Sequence, residues 1–440
     1  MKNMTKGNIP KQLMSFALPL ILGNMFQLIY NMVDSIVIGK FSGKESLAAV
    51  GASNPIMNII IFFIVGICMG ASVIMSEYYG AGNEGDLRKE VSTTIIVGLA
   101  FTVAVSIICS MLIKPILYLI QTPEEIIGLA ATYLRIILLG LVFTFFYNVY
   151  SSALRSIGDS KTPIIFLMIA SVINVVLDIL FVGVLKMDVA GAAYSTIIAQ
   201  AFSAIACIIY VYKKVPLLQV KGKQWKVDVI LLKKTVNYSW ATAMQQTCLY
   251  FGKFLVQGAI NPLGVDVIAT FNAVTKVDDF AFTPEQSISH SMTTFIAQNR
   301  GANQEQRMKK GFRIGMLIEF VYWIFIFTAV FFGAPYIMKL FVTEGDYDII
   351  PLGVSYLRPM AFFYLLPAIT NGLQGYFRGM GKMRVTLVAT AVQMLFRVGL
   401  VYLLAPKFGI TGIAFACMGG WIAMLAYEIP LYKKHIKGGF

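Results

Sequence analysis

The sequence predicts an all-α polytopic membrane protein of twelve spanning helices, arranged as two six-helix lobes related by a parallel internal repeat. Three observations predict it: the apolarity of the chain, the alternation of its basic residues from loop to loop, and the self-similarity of its halves. The composition is 58% hydrophobic and 13% charged, with a mean hydropathy of +0.73. That is well above the roughly 45 to 50% apolar share of soluble domains. An α-helix needs about 20 apolar residues to cross about 30 Å of hydrocarbon, and the chain holds such runs throughout. Transmembrane strands would alternate in polarity over roughly ten-residue stretches, a pattern the sequence lacks.

In the first half the spans fall at 13–38, 47–79, 91–113, 128–153, 163–183 and 190–212. Helix 1 carries Asn24, Gln27, Asn31 and Asp34 and ends at no small-residue cleavage site, so it reads as a retained span and not a removable leader. Pro19 interrupts it, Pro55 interrupts helix 2 and Pro284 interrupts helix 8; each removes a backbone hydrogen bond and favours a bend. Helix 5 is broken in polarity by Asn174 and Asp178, and helix 6 returns with Thr196 near its start. The second half gives 231–259, 265–299, 311–334, 351–375, 386–405 and 410–432. The five cysteines, Cys68, Cys109, Cys207, Cys248 and Cys417, each stand alone in a span and read as packing residues.

A net charge of +14 would suit nucleic acid, but the placement of the basic residues points to a membrane. Of 36 Lys and Arg, 25 lie in the termini and in or at the borders of the even-numbered connections, and 6 in the odd-numbered ones. This is the positive-inside bias, and it places both termini in the cytoplasm of a protein of the cell membrane. No nucleic-acid partner is expected. The longest basic segment, "YKKVPLLQVKGKQWKVDVILLKK" (212–234), divides the chain into an amino-terminal lobe 1–212, a cytoplasmic linker 213–230 and a carboxy-terminal lobe 231–440. The linker reads as a solvated segment beside anionic lipid headgroups.

The halves repeat at an offset of 221 to 223 residues. "SGKESLAAVGA" (42–52) faces "LGVDVIATFNA" (263–273), "YGAGNEGDLRK" (79–89) faces "RGANQEQRMKK" (300–310), and "VAGAAYS" (189–195) faces "ITGIAFA" (410–416). Six helices per half bring both halves in from the same side, so the repeat is parallel. Two such bundles suit alternating access around a site between them.

A charge in the middle of a span costs about 2.5 to 3.5 kcal/mol even on lenient insertion scales, so Asp178 is expected to face the bundle interior. At 1.5 Å per residue, Asp34 and Asp178 each lie about 6 Å inside the outer ends of their helices, and Thr196 lies roughly 9 Å below the same surface. Asn174 shares a face with Asp178. Four oxygen-bearing side chains thus share one layer, which suits a small cation such as Na+ or a proton shared between carboxylates. The repeat places Leu255, Arg397, Val401 and Cys417 at the equivalent positions, so the layer belongs to the first lobe alone. Helix 8 has charges of its own: Lys276, Asp278, Asp279 and Glu285. These form either an acidic wall for cationic substrates or an ion network neutralised by Lys253, Lys276 and Arg397.

The paired lobes, "EYYGAGNEGDLRK", "AQNRGANQEQRMKK" and "VDDFAFTPEQSISHSMTTFIAQNRGAN" together resemble the multidrug and toxic compound extrusion (MATE) family over the whole chain. Asp in helix 1, Asn-x-x-x-Asp in helix 5 and Thr in helix 6 resemble that family's amino-lobe cation or proton site. The resemblance implies an antiporter that exports lipophilic, often cationic, compounds in exchange for H+ or Na+, with Asp34, Asn174, Asp178 and Thr196 in the coupling role. Where some relatives carry a functional Glu in helix 7, this chain reads "ATAMQQTC", offering Gln245 and Gln246 as polar cavity residues beside the helix 8 charges and Arg397. No enzyme is expected: there is no nucleotide loop, metal cluster or nucleophile elbow. No cofactor beyond the coupling ion and no protein partner is expected; the chain reads as a monomer among membrane lipids. A lipid-linked saccharide flippase of the same superfamily is the alternative, disfavoured by the acids of helices 1, 5 and 8, and a membrane enzyme or receptor is a more remote one.

Overall fold

The computed structural model describes residues 3–340 and 349–437; within the first helix the side chains of residues 31, 32, 34–36 and 38 lie outside that description. The described residues form helices and no strands. In order they are α1 (Ile9–Phe41), α2 (Gly43–Gly80), α3 (Glu84–Leu119), α4 (Glu124–Leu139), α5 (Leu141–Ser156), α6 (Lys161–Asp178) and α7 (Asp188–Lys214). The second half follows with α8 (Val229–Ile260), α9 (Val265–Gly301), α10 (Glu305–Lys339), α11 (Ile349–Phe363), α12 (Leu365–Gly379) and α13 (Met383–Lys437).

These helices make the twelve spans. α4 and α5 form one span bent by 44°, and α11 and α12 form another bent by 45°. The same break recurs at the same place in each half, as the sequence repeat predicts. α13 is two spans, because Gly409 turns the chain with φ 58 and ψ −138, a backbone conformation open to glycine. This break falls between the runs 386–405 and 410–432. Large apolar side chains stay exposed along the helices, among them Leu22, Ile108, Met111, Phe254, Phe325 and Leu395. So broad an apolar surface suits hydrocarbon and not water.

The chain divides into two compact units, and their boundaries fall inside helices. One contains Pro19–Ala243; the other contains Met4–Leu18 and Met244–Phe440. The linker 213–230 and the first half of α8 therefore pack with the amino-terminal unit. Contacts explain this. Gly66 and Gly70 of α2 form a Gly-x-x-x-Gly pair against α8: a Cβ at Gly66 would fall 2.5 Å from Ala243 Cα, and one at Gly70 2.6 Å from Ser239 Cα. Small residues at such a crossing let backbones approach. Thr235 Oγ1 donates to Glu90 of α3 at 2.7 Å, and Lys234 pairs with Glu77 at 3.0 Å. The linker is held over its first part: Val215, Leu218 and Val220 are buried and Gln219 Nε2 donates to Tyr212 O at 2.8 Å, while residues 221–227, with Lys221, Lys223 and Lys226, are exposed. Its stretch 215–220 is thus docked on the amino-terminal unit, and its exposed stretch is basic.

In the other unit the chain start is clamped by Arg307. Its guanidinium donates to Met4 O, Gly7 O and Gln12 Oε1 at 3.1, 2.9 and 2.7 Å, and Ser291 Oγ donates to Leu13 O at 2.9 Å. α1 leaves this unit at Pro19, the residue that cannot donate to the preceding turn.

Candidate functional site

In the amino-terminal unit the polar layer is built on the end of α6. Asn174 and Asp178, one turn apart, are both buried on the same face. Directly after Asp178 the helix widens into a π-helical turn over Ile179–Val184, with Leu185 N donating to Leu180 O at 2.8 Å. Such widened turns recur at functional sites because they re-aim the side chains beside them. Ser195 Oγ of α7 donates to Asp178 Oδ1, and Tyr30 Oη of α1 donates to Asn174 Oδ1. Three helices thus bring hydroxyl, amide and carboxylate oxygens together.

Two of the four residues named from the sequence are placed in this layer with described contacts. Among the described residues Thr196 makes no contact with it: its hydroxyl donates to Ala192 O of its own helix at 2.9 Å. Successive helical residues are rotated by about 100°, so the face of α7 that meets α6 takes Ser195. Asp34 lies on α1, four residues after Tyr30, and its side chain is outside the described residues. Tyr30 and Ser195 were not foreseen. The spacing of Tyr30 from Asp34 was a signal for the first; only the phase of α7 against α6 selects the second. Among the described residues no group of three or more His, Cys, Asp and Glu is placed to hold a metal ion. The oxygens of Asn174, Asp178 and Ser195 suit a hard monovalent cation or a proton.

In the carboxy-terminal unit the helix 8 charges, now on α9, separate into different surroundings. Asp278 is buried and accepts from Tyr356 Oη at 2.8 Å and Tyr364 Oη at 2.7 Å, with the Arg397 charge acting on it. Asp279 is half-buried and pairs with Lys253 at 3.6 Å, while Lys276 is exposed. Among the described residues, Lys253–Asp279 is the ion pair that this set forms. Glu285 is fully buried, with Asn371 Nδ2 donating to its Oε2 at 3.3 Å. Gln245 Nε2 donates to Gln374 Oε1 at 2.7 Å and Thr390 Oγ1 at 2.9 Å, and Gln374 Nε2 donates to Glu428 Oε1 at 2.6 Å. Gln246 is half-buried beside it on α8. Glu319 of α10 is a buried acid that the sequence reading passed over, although a lone carboxylate inside the run 311–334 is itself the signal.

The family model MatE matches residues 19–180 and again 241–403, once in each half of the repeat. The chain is 30% identical over 390 residues to "Probable multidrug resistance protein YpnP" of Bacillus subtilis (strain 168), covering 88% of this chain and 86% of that one. It is 28% identical over 349 residues to "Probable multidrug resistance protein YoeA" of the same organism, covering 78% of this chain and 75% of that one. Among solved structures, an outward-facing multidrug resistance MATE family transporter of the MOP superfamily superposes with a TM-score of 0.93 at 21% identity, covering 100% of this chain and 98% of that one. That likeness extends to the fold of the whole chain.

Proposed function

This chain belongs to the MATE family of membrane transporters, and from that membership we propose that it is a secondary multidrug antiporter, exporting lipophilic and often cationic compounds in exchange for H+ or Na+. The observation that carries the reading is the similarity, over 88% and 78% of this chain, to relatives named for multidrug resistance, joined to a buried carboxylate at the end of α6. Asp178 with Asn174 and Ser195, and Asp34 on α1, form the coupling site. Neutralising their charge by a proton, or by a bound Na+, releases the electrostatic cost of carrying a carboxylate in a span and so biases one conformation over the other. An ion that drives release must bind the drug-free state more tightly than the drug-bound state.

The drug is expected to meet the polar Gln245 and Gln246 of α8, with apolar Met and aromatic side chains adapting to varied shapes. The protein acts as a monomer in the plasma membrane with both termini in the cytoplasm, a reading supported by the bias of basic residues. The test is uptake of a fluorescent lipophilic cation into proteoliposomes with the pH and Na+ gradients imposed separately. Uptake driven by neither gradient in an active preparation would sink the antiport reading.

A further inference from the structure

Glu285 and Glu319 face each other inside the carboxy-terminal unit, where α9 and α10 run antiparallel. Contacts on both sides fix the register. Tyr322 Oη donates to Ala281 O at 3.0 Å, and in the other direction a Cβ on Gly315 would fall 2.7 Å from Met292 Cγ. Residues 285 and 319 sit opposite one another between these contacts. Their exposures are 0% and 1%. Among the described residues, only the Asn371 amide, on Glu285 Oε2, donates to the pair: Glu285 Oε1 and both oxygens of Glu319 are buried without a hydrogen bond.

The charge acting on Glu319 is that of Glu285. Around the pair stand Tyr322 on α10, Tyr364 at the start of α12 and Asn371 on α12. The Arg397 charge from α13 acts on Asp278 together with Tyr356 of α11, and His290, five residues on, is the nearest titratable base along α9 itself. Two ionised carboxylates near each other and out of water repel, and an unpaired buried acceptor loses its hydration for nothing. One proton removes both penalties, because it cancels one charge and supplies the missing donor. A sodium ion is a poorer fit, since hard cations gather roughly six oxygens and three are unengaged here.

The pair is not a shared requirement of folding. In the amino-terminal half Glu285 corresponds to Ile64, and Glu319 falls among Ile96, Val97 and Gly98. Pro284 immediately precedes Glu285 and removes a backbone hydrogen bond from α9, giving that helix a place to bend when the charge changes. We propose that Glu285 and Glu319 form a second proton-binding site, distinct from the Asp178 layer, that loads and releases one proton in the transport cycle.

The proposal rests on the antiport reading, and its test separates the two. Wild type, Glu285→Gln, Glu319→Gln and Glu319→Asp are reconstituted in proteoliposomes with a fluorescent lipophilic cation. Drug-for-drug exchange without a gradient needs no proton movement, so both Gln variants are expected to keep it. Uptake driven by a pH gradient should fall at least about tenfold in each, and protons released per drug bound in weakly buffered detergent should fall with it. Glu319→Asp keeps a carboxyl but lengthens the separation, so it should retain driven uptake with a shifted pH profile. Wild-type driven uptake in the Gln variants would overturn the proposal, as would an equal loss of exchange in well-folded protein or, if the Gln variants fail to fold, an unshifted profile in Glu319→Asp. Uptake on a Na+ gradient alone that is lost in the same variants would overturn the proton and assign the oxygens to sodium. A wild type that moves drug on no gradient would overturn the antiport reading first.

Discussion

Ser195 on α7 donates its hydroxyl proton to Asp178 at the end of α6, so the carboxylate that interrupts this span is held by a neighbouring helix. The same hydroxyl lies 2.8 Å from Ala192 O. One hydrogen serves one acceptor at a time, so Ser195 can turn to its own helix when Asp178 takes a proton or an ion. Removing this donor, Ser195→Ala, should lower driven efflux roughly tenfold, in line with the 1.5 to 3 kcal/mol typical of a hydrogen bond to a charged group. Thr196→Ala, next to it, should leave efflux within about twofold, because its hydroxyl donates to Ala192 O of its own helix. Drug-resistance titres of matched, equally expressed strains read the contrast; the reverse order would move the site to Thr196.

Asp278 is held by two tyrosines. Tyr356→Phe and Tyr364→Phe each remove one donor from a buried carboxylate, a loss of about 1 to 3 kcal/mol. Both should lower the melting temperature of the detergent-solubilised protein by several degrees while drug binding changes little. A large loss of drug affinity at unchanged stability would instead make Asp278 part of the drug-binding wall.

Backbone contact at Gly66 gives a third expectation. A Cβ there has no room against Ala243, whereas one at Gly51 on the same helix meets nothing within 4 Å. Gly66→Ala should destabilise by roughly 1 to 3 kcal/mol through overpacking, and Gly51→Ala should be neutral or slightly stabilising. Thermal unfolding followed by exposure of native or introduced thiols measures both. Equal stabilities would mean that α2 and α8 separate freely.

Topology is the fourth. In a cysteine-free background, a cysteine at Ser42 should react in intact cells with an impermeant thiol reagent added outside, and one at Gly222 should react only after lysis. Labelling of Gly222 from outside would invert the orientation.

The spans, their number and the repeat were legible because membrane insertion writes them directly as long apolar runs and alternating basic loops. Even the break at Gly409 fell between two predicted runs. The domain boundary was not legible: the basic segment 212–234 marks the middle of the chain, but packing of Gly66 and Gly70 on α8, and of Arg307 on the chain start, carries the compact units past it at both ends. In the site, Asn174 and Asp178 were visible as polar residues one turn apart in an apolar run. The choice of Ser195 over Thr196 was not, because neighbouring hydroxyls differ only in helical phase, which tertiary packing sets. Glu319 was legible and overlooked, a single acid in a span whose partner lies on another helix.

The central claim is that the buried Asp178 carboxylate couples a cation gradient to drug export, and the most direct measurement is driven uptake of a fluorescent lipophilic cation by Asp178→Asn in proteoliposomes, beside drug binding by the same preparation in detergent. An amide keeps the shape and the Ser195 contact but neither exchanges a proton nor balances a cation. The account predicts that Asp178→Asn binds drug and elutes as a folded protein, yet accumulates none above the level of empty liposomes on either a pH or a Na+ gradient. Accumulation equal to wild type on the gradient that drives wild type would contradict it.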